Sequence, residues 1–129
     1  MRQLLLIGAS GTIGSIARYL AGIAVIRFAG VAFPYNTLLV NVVGSLVMGL
    51  LMAWLLESDL APPLAADVRL FVAVGVLGGF TTFSSFSADV AVLWERGAPL
   101  ASAAYVLTSV TLSIAAVFVG LHLGRRLFG

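Results

Sequence analysis

The chain has no cysteine and no lysine, a single histidine, and only 9% charged residues. Each scarcity removes a class of function. Without cysteine there is no disulfide framework, thiolate metal site or thiol nucleophile. His122 alone cannot build a multi-histidine metal site within one chain. At the last turn of the last apolar segment it reads as an interfacial residue and is assigned no role. No carboxylate pair, histidine dyad or cysteine nucleophile supports enzymatic chemistry. No Gly-rich Lys-Ser/Thr loop offers a nucleotide site. The isoelectric point near 9.7 suggests nucleic acid, but the seven cations are arginines scattered at 2, 18, 27, 69, 96, 125 and 126. They form no patch, so nucleic acid is not an expected partner.

What remains is apolar. The chain is 61% hydrophobic, with a mean hydropathy of +1.14, which is outside the range of a soluble domain. A membrane span needs about 20 mostly apolar residues. Four segments qualify, at roughly 3–29, 35–56, 69–95 and 98–124, joined by connections that hold Pro34, Asp59, Pro62-Pro63 and Pro99. The stretch after Met1-Arg2-Gln3 carries no Ala-x-Ala cleavage site and reads as a retained first helix. The expected fold is an all-α membrane protein: one domain over residues 1–129 with four transmembrane helices and both termini on the same side.

Arginine in short loops sets orientation. The side with the termini holds Arg2, Arg69, Arg125 and Arg126, and the opposite side Arg27 and Arg96. Four against two is a weak bias. It fits a chain that inserts both ways and pairs with its inverted copy, and equally a single orientation that the count describes poorly.

The third segment is expected to be broken. Residues 75–89 place three glycines, five hydroxyl side chains, three phenylalanines and Asp89 in one apolar span. Irregular chain at membrane depth survives only where it is buried in protein or lines a water-filled path. Gly75, Gly78 and Gly79 permit unusual backbone angles and leave carbonyls unpaired, and such carbonyls ligate hard cations. Phe83 and Phe86 share a helical face, and an aromatic ring has a positive edge that an anion can approach. Hydroxyls of Thr82, Ser84, Ser85 and Ser87 stand beside them. The competing reading is a glycine kink packed with core phenylalanines.

Polar residues in the other spans have comparable alternatives. Arg18 either snorkels to an interface or looks into a crevice beside the small-residue face Gly8–Gly11–Gly14–Ser15. Asn41 either glues two helices or offers its amide N–H to an anion. Ser45-x-x-x-Gly49 is a packing pattern. Ser102, Tyr105, Ser109 and Ser113 share one face of the fourth span and read as a polar track, whereas Thr108 and Thr111 lie on other faces and are expected to bond back to their own helix.

Together these stretches resemble the Fluc/CrcB family of fluoride channels. The residues that carry the resemblance are Gly78-Gly79-Phe80-Thr81-Thr82-Phe83-Ser84-Ser85-Phe86-Ser87, Thr37-Leu38-Leu39-Val40-Asn41-Val42-Val43-Gly44-Ser45 and Gly14-Ser15-Ile16-Ala17-Arg18-Tyr19. The resemblance covers essentially the whole chain. It implies an antiparallel, dual-topology homodimer in the bacterial inner membrane, with two fluoride pores lined by both copies. By position, Phe83 and Phe86 would be the ring edges of the ion path, Asn41 the amide donor, and Tyr105, Ser109 and Ser113 the polar track. Thr82, Ser84 and Asp89 would support it, and Arg18 would draw anions into the vestibule. Backbone carbonyls of Gly78 and Thr81 from both copies would hold a structural Na⁺. Three departures stand out: Ser85 replaces a threonine, Asn36 and Ser15 stand where glycine and alanine are common, and Asp89 is shorter than the usual glutamate.

A passive anion path suffices for such a function. HF enters cells neutral and is trapped as fluoride near neutral pH. An inside-negative potential then drives the anion out with about 2.3 kcal/mol per charge per 100 mV. The rival class is a small four-helix, dimeric multidrug-type proton antiporter, but these carriers need a glutamate in the first span, and this one has no Asp or Glu.

Overall fold

The computed structural model describes all 129 residues, and every regular element in it is helical. The elements are α1 (Arg2–Ala29), α2 (Tyr35–Glu57), α3 (Pro62–Val68), a π-helical stretch Arg69–Leu77, α4 (Gly78–Phe80), α5 (Phe83–Glu95) and α6 (Pro99–Phe128). Residues 62–95 form one interrupted span, so four helical units are long and apolar enough to cross a membrane.

The third span begins at Pro62 rather than near 69, and Pro62-Pro63 open a helix instead of lying in the connection. Proline is tolerated there because the first-turn N–H groups have no intrahelical partner in any case. The added turns bring Asp67 to Arg2, whose two guanidinium nitrogens donate to the carboxylate at 3.2 and 2.5 Å. Further along, the Gly78 N–H reaches back five residues to the Ala73 carbonyl, a wider winding than the α-helix.

Glycines act through proximity rather than through unusual angles. Positive φ occurs only at Gly30 and Gly97, both in tight connections, whereas Gly78 is ordinary right-handed helix. This corrects the expectation that Gly75, Gly78 and Gly79 make the break. Gly75 and Gly79 instead let the third span lie against α1: a Cβ on Gly79 would come within 2.5 Å of the Gly11 carbonyl, and one on Gly75 would strike the Ser10 side chain. From the other side, a Cβ on Gly14 would meet Phe80 N at 2.9 Å. The contacting face of α1 is therefore Ser10, Gly11 and Gly14, while Gly8 faces open space.

The second close pair is α2 with α6. Gly49 abuts the α6 backbone at Val117 and Leu121, and Gly120 abuts α2 at Leu46 and Leu50. Small residues let backbones approach where lipid supplies no hydrophobic drive between helices. Of the expected Ser45/Gly49 pattern, Gly49 makes this contact and Ser45 lines a groove described below. The core is thin, with 17 of 129 residues buried, and its apolar centre is Phe86, Leu93 and Tyr105.

Gly14→Ala is expected to lower stability by about 1–3 kcal/mol through overpacking against the 76–80 backbone. Gly8→Ala, with room for the methyl, should stay within about 0.5 kcal/mol. Thermal unfolding in detergent distinguishes them, and equal effects would refute the close approach.

Candidate functional site

The third span breaks at Thr81 and Thr82, whose backbones are extended (φ −81°, ψ 158° and φ −154°, ψ 118°). An interruption at membrane depth must find hydrogen-bond partners other than water. Asn41 supplies them. Its Oδ1 accepts from the Thr82 N–H at 2.8 Å and its Nδ2 donates to the Thr82 carbonyl at 3.1 Å. A side-chain amide thus pairs with both polar groups of one residue, as a neighbouring strand would. Of the two readings of Asn41, the helix-joining one is realised. A primary amide carries two donor hydrogens, and the second remains for the groove that Asn41 lines.

Thr82 also starts the next helix. Its hydroxyl accepts from the Ser85 N–H at 3.1 Å, which is the usual N-cap arrangement. The same oxygen lies 3.1 Å from Ser85 Oγ and 3.2 Å from Ser84 Oγ. Because the Thr82 N–H turns to Asn41, the Gly78 carbonyl loses the donor that an unbroken helix would give it. The Thr81 carbonyl receives only a long contact, 3.5 Å from an Arg18 guanidinium nitrogen.

Beside the break lies a groove of about 330 Å³ between α2, α5 and α6. It brings together Asn41, Thr82, Phe83, Phe86, Ser109 and Ser113, with Ser45 added from α2. Phe86 is buried, whereas Phe83 leaves 78% of its surface uncovered. Their ring centroids are 5.4 Å apart at an interplanar angle of 46°. Ser109 is 95% buried (5% exposed), yet its hydroxyl has no hydrogen-bond partner. Buried polar groups are normally paired, so an unpaired hydroxyl on a residue that lines a groove marks that groove as the candidate site.

The expected polar track divides in two. Ser102 donates to the Val90 carbonyl at 3.0 Å, and the Tyr105 hydroxyl donates to Asp89 Oδ2 at 3.1 Å. These two join α6 to α5, so Asp89 is long enough for its partner. Ser109 and Ser113 face the groove. Thr108 and Thr111 lie exposed on other faces. Back-bonding to the preceding turn is found at Ser10, Thr12, Thr81 and Ser87.

Arg18 turns to the break, with one guanidinium nitrogen 3.5 Å from the Thr81 carbonyl. It is half-buried and lines a separate crevice of about 370 Å³ between α1 and α2, with Thr37, Thr82 and Ser85 among the walls. Thr82 borders both this crevice and the groove. Gly78 is exposed outside both. Sequence reasoning gives Thr37 and Ser45 no place at the site and leaves Ser10 unmentioned. Ser10 is fully buried and bonded to the Leu6 carbonyl at 2.6 Å; its one-turn spacing to Gly14 was the available signal.

Asn41→Leu strips Thr82 of both partners. We expect a loss of about 2 kcal/mol in stability and faster amide exchange at Thr82. Unchanged exchange there would remove the clamp.

Known proteins align with this arrangement over nearly its full length. Residues 5–121 match the family described as CrcB-like protein, Camphor Resistance (CrcB). The chain is 52% identical over 128 residues to a fluoride-specific ion channel, FluC, of Agrobacterium fabrum, covering 99% of this chain and 100% of that one. It is 52% identical over 127 residues to the FluC channel of a Chelativorans species, covering 98% and 99%. With the FluC channel of a Caulobacter strain it shares 46% over 128 residues, covering 99% and 98%. With four apolar spans and a family match across nearly all of them, the chain is a multi-pass membrane protein that belongs to the CrcB family.

Proposed function

We propose that the chain is a passive, fluoride-selective channel that exports cytoplasmic fluoride and protects against its toxicity, and not an enzyme. The observation that carries this reading is the unpaired Ser109 hydroxyl in a groove rimmed by the Phe83 and Phe86 rings. Relatives named as fluoride-specific channels across the whole length support it.

Fluoride is small and strongly hydrated, so a path must replace its water with several weak donors at once. Selectivity comes from matching donors, and conduction from holding the ion loosely enough to release it. The free Asn41 amide hydrogen and the Ser109 and Ser113 hydroxyls supply donors. The Phe83 and Phe86 edges supply positive electrostatic potential without a fixed cation. Arg18, in its adjoining crevice, raises the local anion concentration without gripping the ion inside the groove. Thr82, shared by groove and crevice, supplies a further hydroxyl where one space meets the other, supported by Ser84 Oγ 3.2 Å away.

The same reading takes the working unit as an antiparallel, dual-topology homodimer with two pores. Support comes from Phe83, which lines the groove but is largely uncovered within one chain, and from the weak arginine bias. A central Na⁺ would be held by the Gly78 and Thr81 carbonyls of both copies, where it would supply a fixed positive charge that fastens the two breaks together. The residues fit such an ion: Gly78 has lost its helical donor, and Thr81 is only distantly approached. The antiporter alternative lacks its coupling group, because α1 has no carboxylate and Asp89 is bonded to Tyr105.

In proteoliposomes with the potential clamped by valinomycin, we expect rapid fluoride release with chloride retained. Equal chloride release, or fluoride movement only under a proton gradient, would overturn the reading. Phe83→Ile or Phe86→Ile should slow flux more than Thr108→Ala. Replacing Na⁺ with a large organic cation during assembly should lower activity and weaken the dimer; unchanged dimer stability would remove the Na⁺ assignment.

A further inference from the structure

The α1–α2 connection does more than join two spans. Tyr105 is fully buried, and two rings hold it. Phe86 lies 5.3 Å away at 44°, and Phe33 lies 5.5 Å away at 88°, edge-on. Phe33 comes from the short connection between Ala29 and Tyr35, so a loop residue completes the wall around a residue of the α6 polar face. Phe83, Phe86, Tyr105 and Phe33 thus form one continuous column of four rings, from the break to the loop.

The backbone holds Phe33 in this position. The Tyr35 N–H donates to the Phe33 carbonyl at 2.8 Å across Pro34, whose φ of −79° and ψ of 58° are those of an inverse γ-turn. Proline fixes φ near this value in advance. Gly30, at φ 73°, reverses the chain just before it, an angle at which a side chain would be strained. Phe33 also meets Tyr35, with ring centroids 4.8 Å apart and the planes tilted by 48°. Both ends of a five-residue connection are thereby set, and the ring between them has little freedom. An edge-to-face contact of this geometry is favourable beyond the area it buries.

We propose that Phe33 is a positioning residue of the ion path. By packing edge-on to Tyr105, it keeps that ring against Phe86 and the Tyr105 hydroxyl on Asp89, and so fixes the Phe86 ring where it lines the groove. Phe33 does not touch the ion; it acts through Tyr105. This rests on the fluoride-channel reading above.

The test is a double-mutant cycle on fluoride efflux from clamped proteoliposomes. Phe33→Ala should slow efflux about fivefold, the effect of losing one well-formed aromatic contact, and Phe33→Tyr should restore most of the rate. In a Tyr105→Leu background, which lacks the ring through which Phe33 acts on Phe86, Phe33→Ala should have no further effect. Equal slowing in both backgrounds, or a Phe33→Ala channel as fast as the unaltered one, overturns the proposal. If Phe33→Ala fails to assemble, Phe33→Leu keeps the bulk without the ring and enters the same cycle. Failure of the unaltered protein to release fluoride overturns the channel reading itself, whereas a conducting protein with an additive cycle overturns only the role of Phe33.

Discussion

The arrangement depends on one pairing, that of the Asn41 side chain with the Thr82 peptide groups. A membrane offers no water to an interrupted helix, and each unpaired backbone group there costs several kcal/mol. Two groups of the same residue are satisfied by a single amide on a neighbouring helix. That solution fixes the depth of the break, because Asn41 is set by the packing of α2. It also fixes the direction of the chain as it leaves the break, because Thr82 must both face Asn41 and cap α5. Phe83 and Phe86 follow immediately on α5, so their placement beside the groove is inherited from this contact.

Close helix packing supplies the rest of the frame. Two interfaces, α1 with the 69–80 stretch and α2 with α6, are built on residues without side-chain bulk; a carbon added at Gly14, Gly79, Gly49 or Gly120 meets backbone. Each interface brings one polar feature to the centre. The first holds Arg18 beside the Thr81 carbonyl; the second holds Ser109 opposite Asn41 across the groove. The packing residues and the polar residues alternate along the same helices, so changes to one set displace the other.

Much of this was legible in the sequence for simple reasons. Apolar runs of sufficient length mark spans whatever their tertiary setting, and a cluster of hydroxyls and glycines within one of them marks a break. The exact site of the break was not legible. Glycines suggested Gly75 to Gly79, but those positions stay helical because close approach to α1, rather than backbone freedom, is what they provide. The interruption falls two residues later, at two threonines whose extended angles are selected by a partner on another helix. The use of Asn41 was undecidable for the same reason: an amide bonds whatever tertiary structure presents to it. Pro62-Pro63 looked like a connection because proline breaks helix interiors, yet at a helix start the same residues are compatible. Ser102, Tyr105, Ser109 and Ser113 share one stripe of α6 by spacing alone, but the division of that stripe between α5 and the groove depends on where α5 lies.

The thinness of the interior carries a consequence for handling this protein. With fewer than one residue in seven buried, cohesion within a single copy is slight, and most apolar side chains are left for whatever surrounds it. The medium is then a structural component: acyl chains, detergent or another polypeptide complete what the chain leaves unfinished. Any melting temperature or assembly state measured in solution belongs to that mixture and shifts with its composition and concentration. A value obtained in one micelle does not transfer to a bilayer.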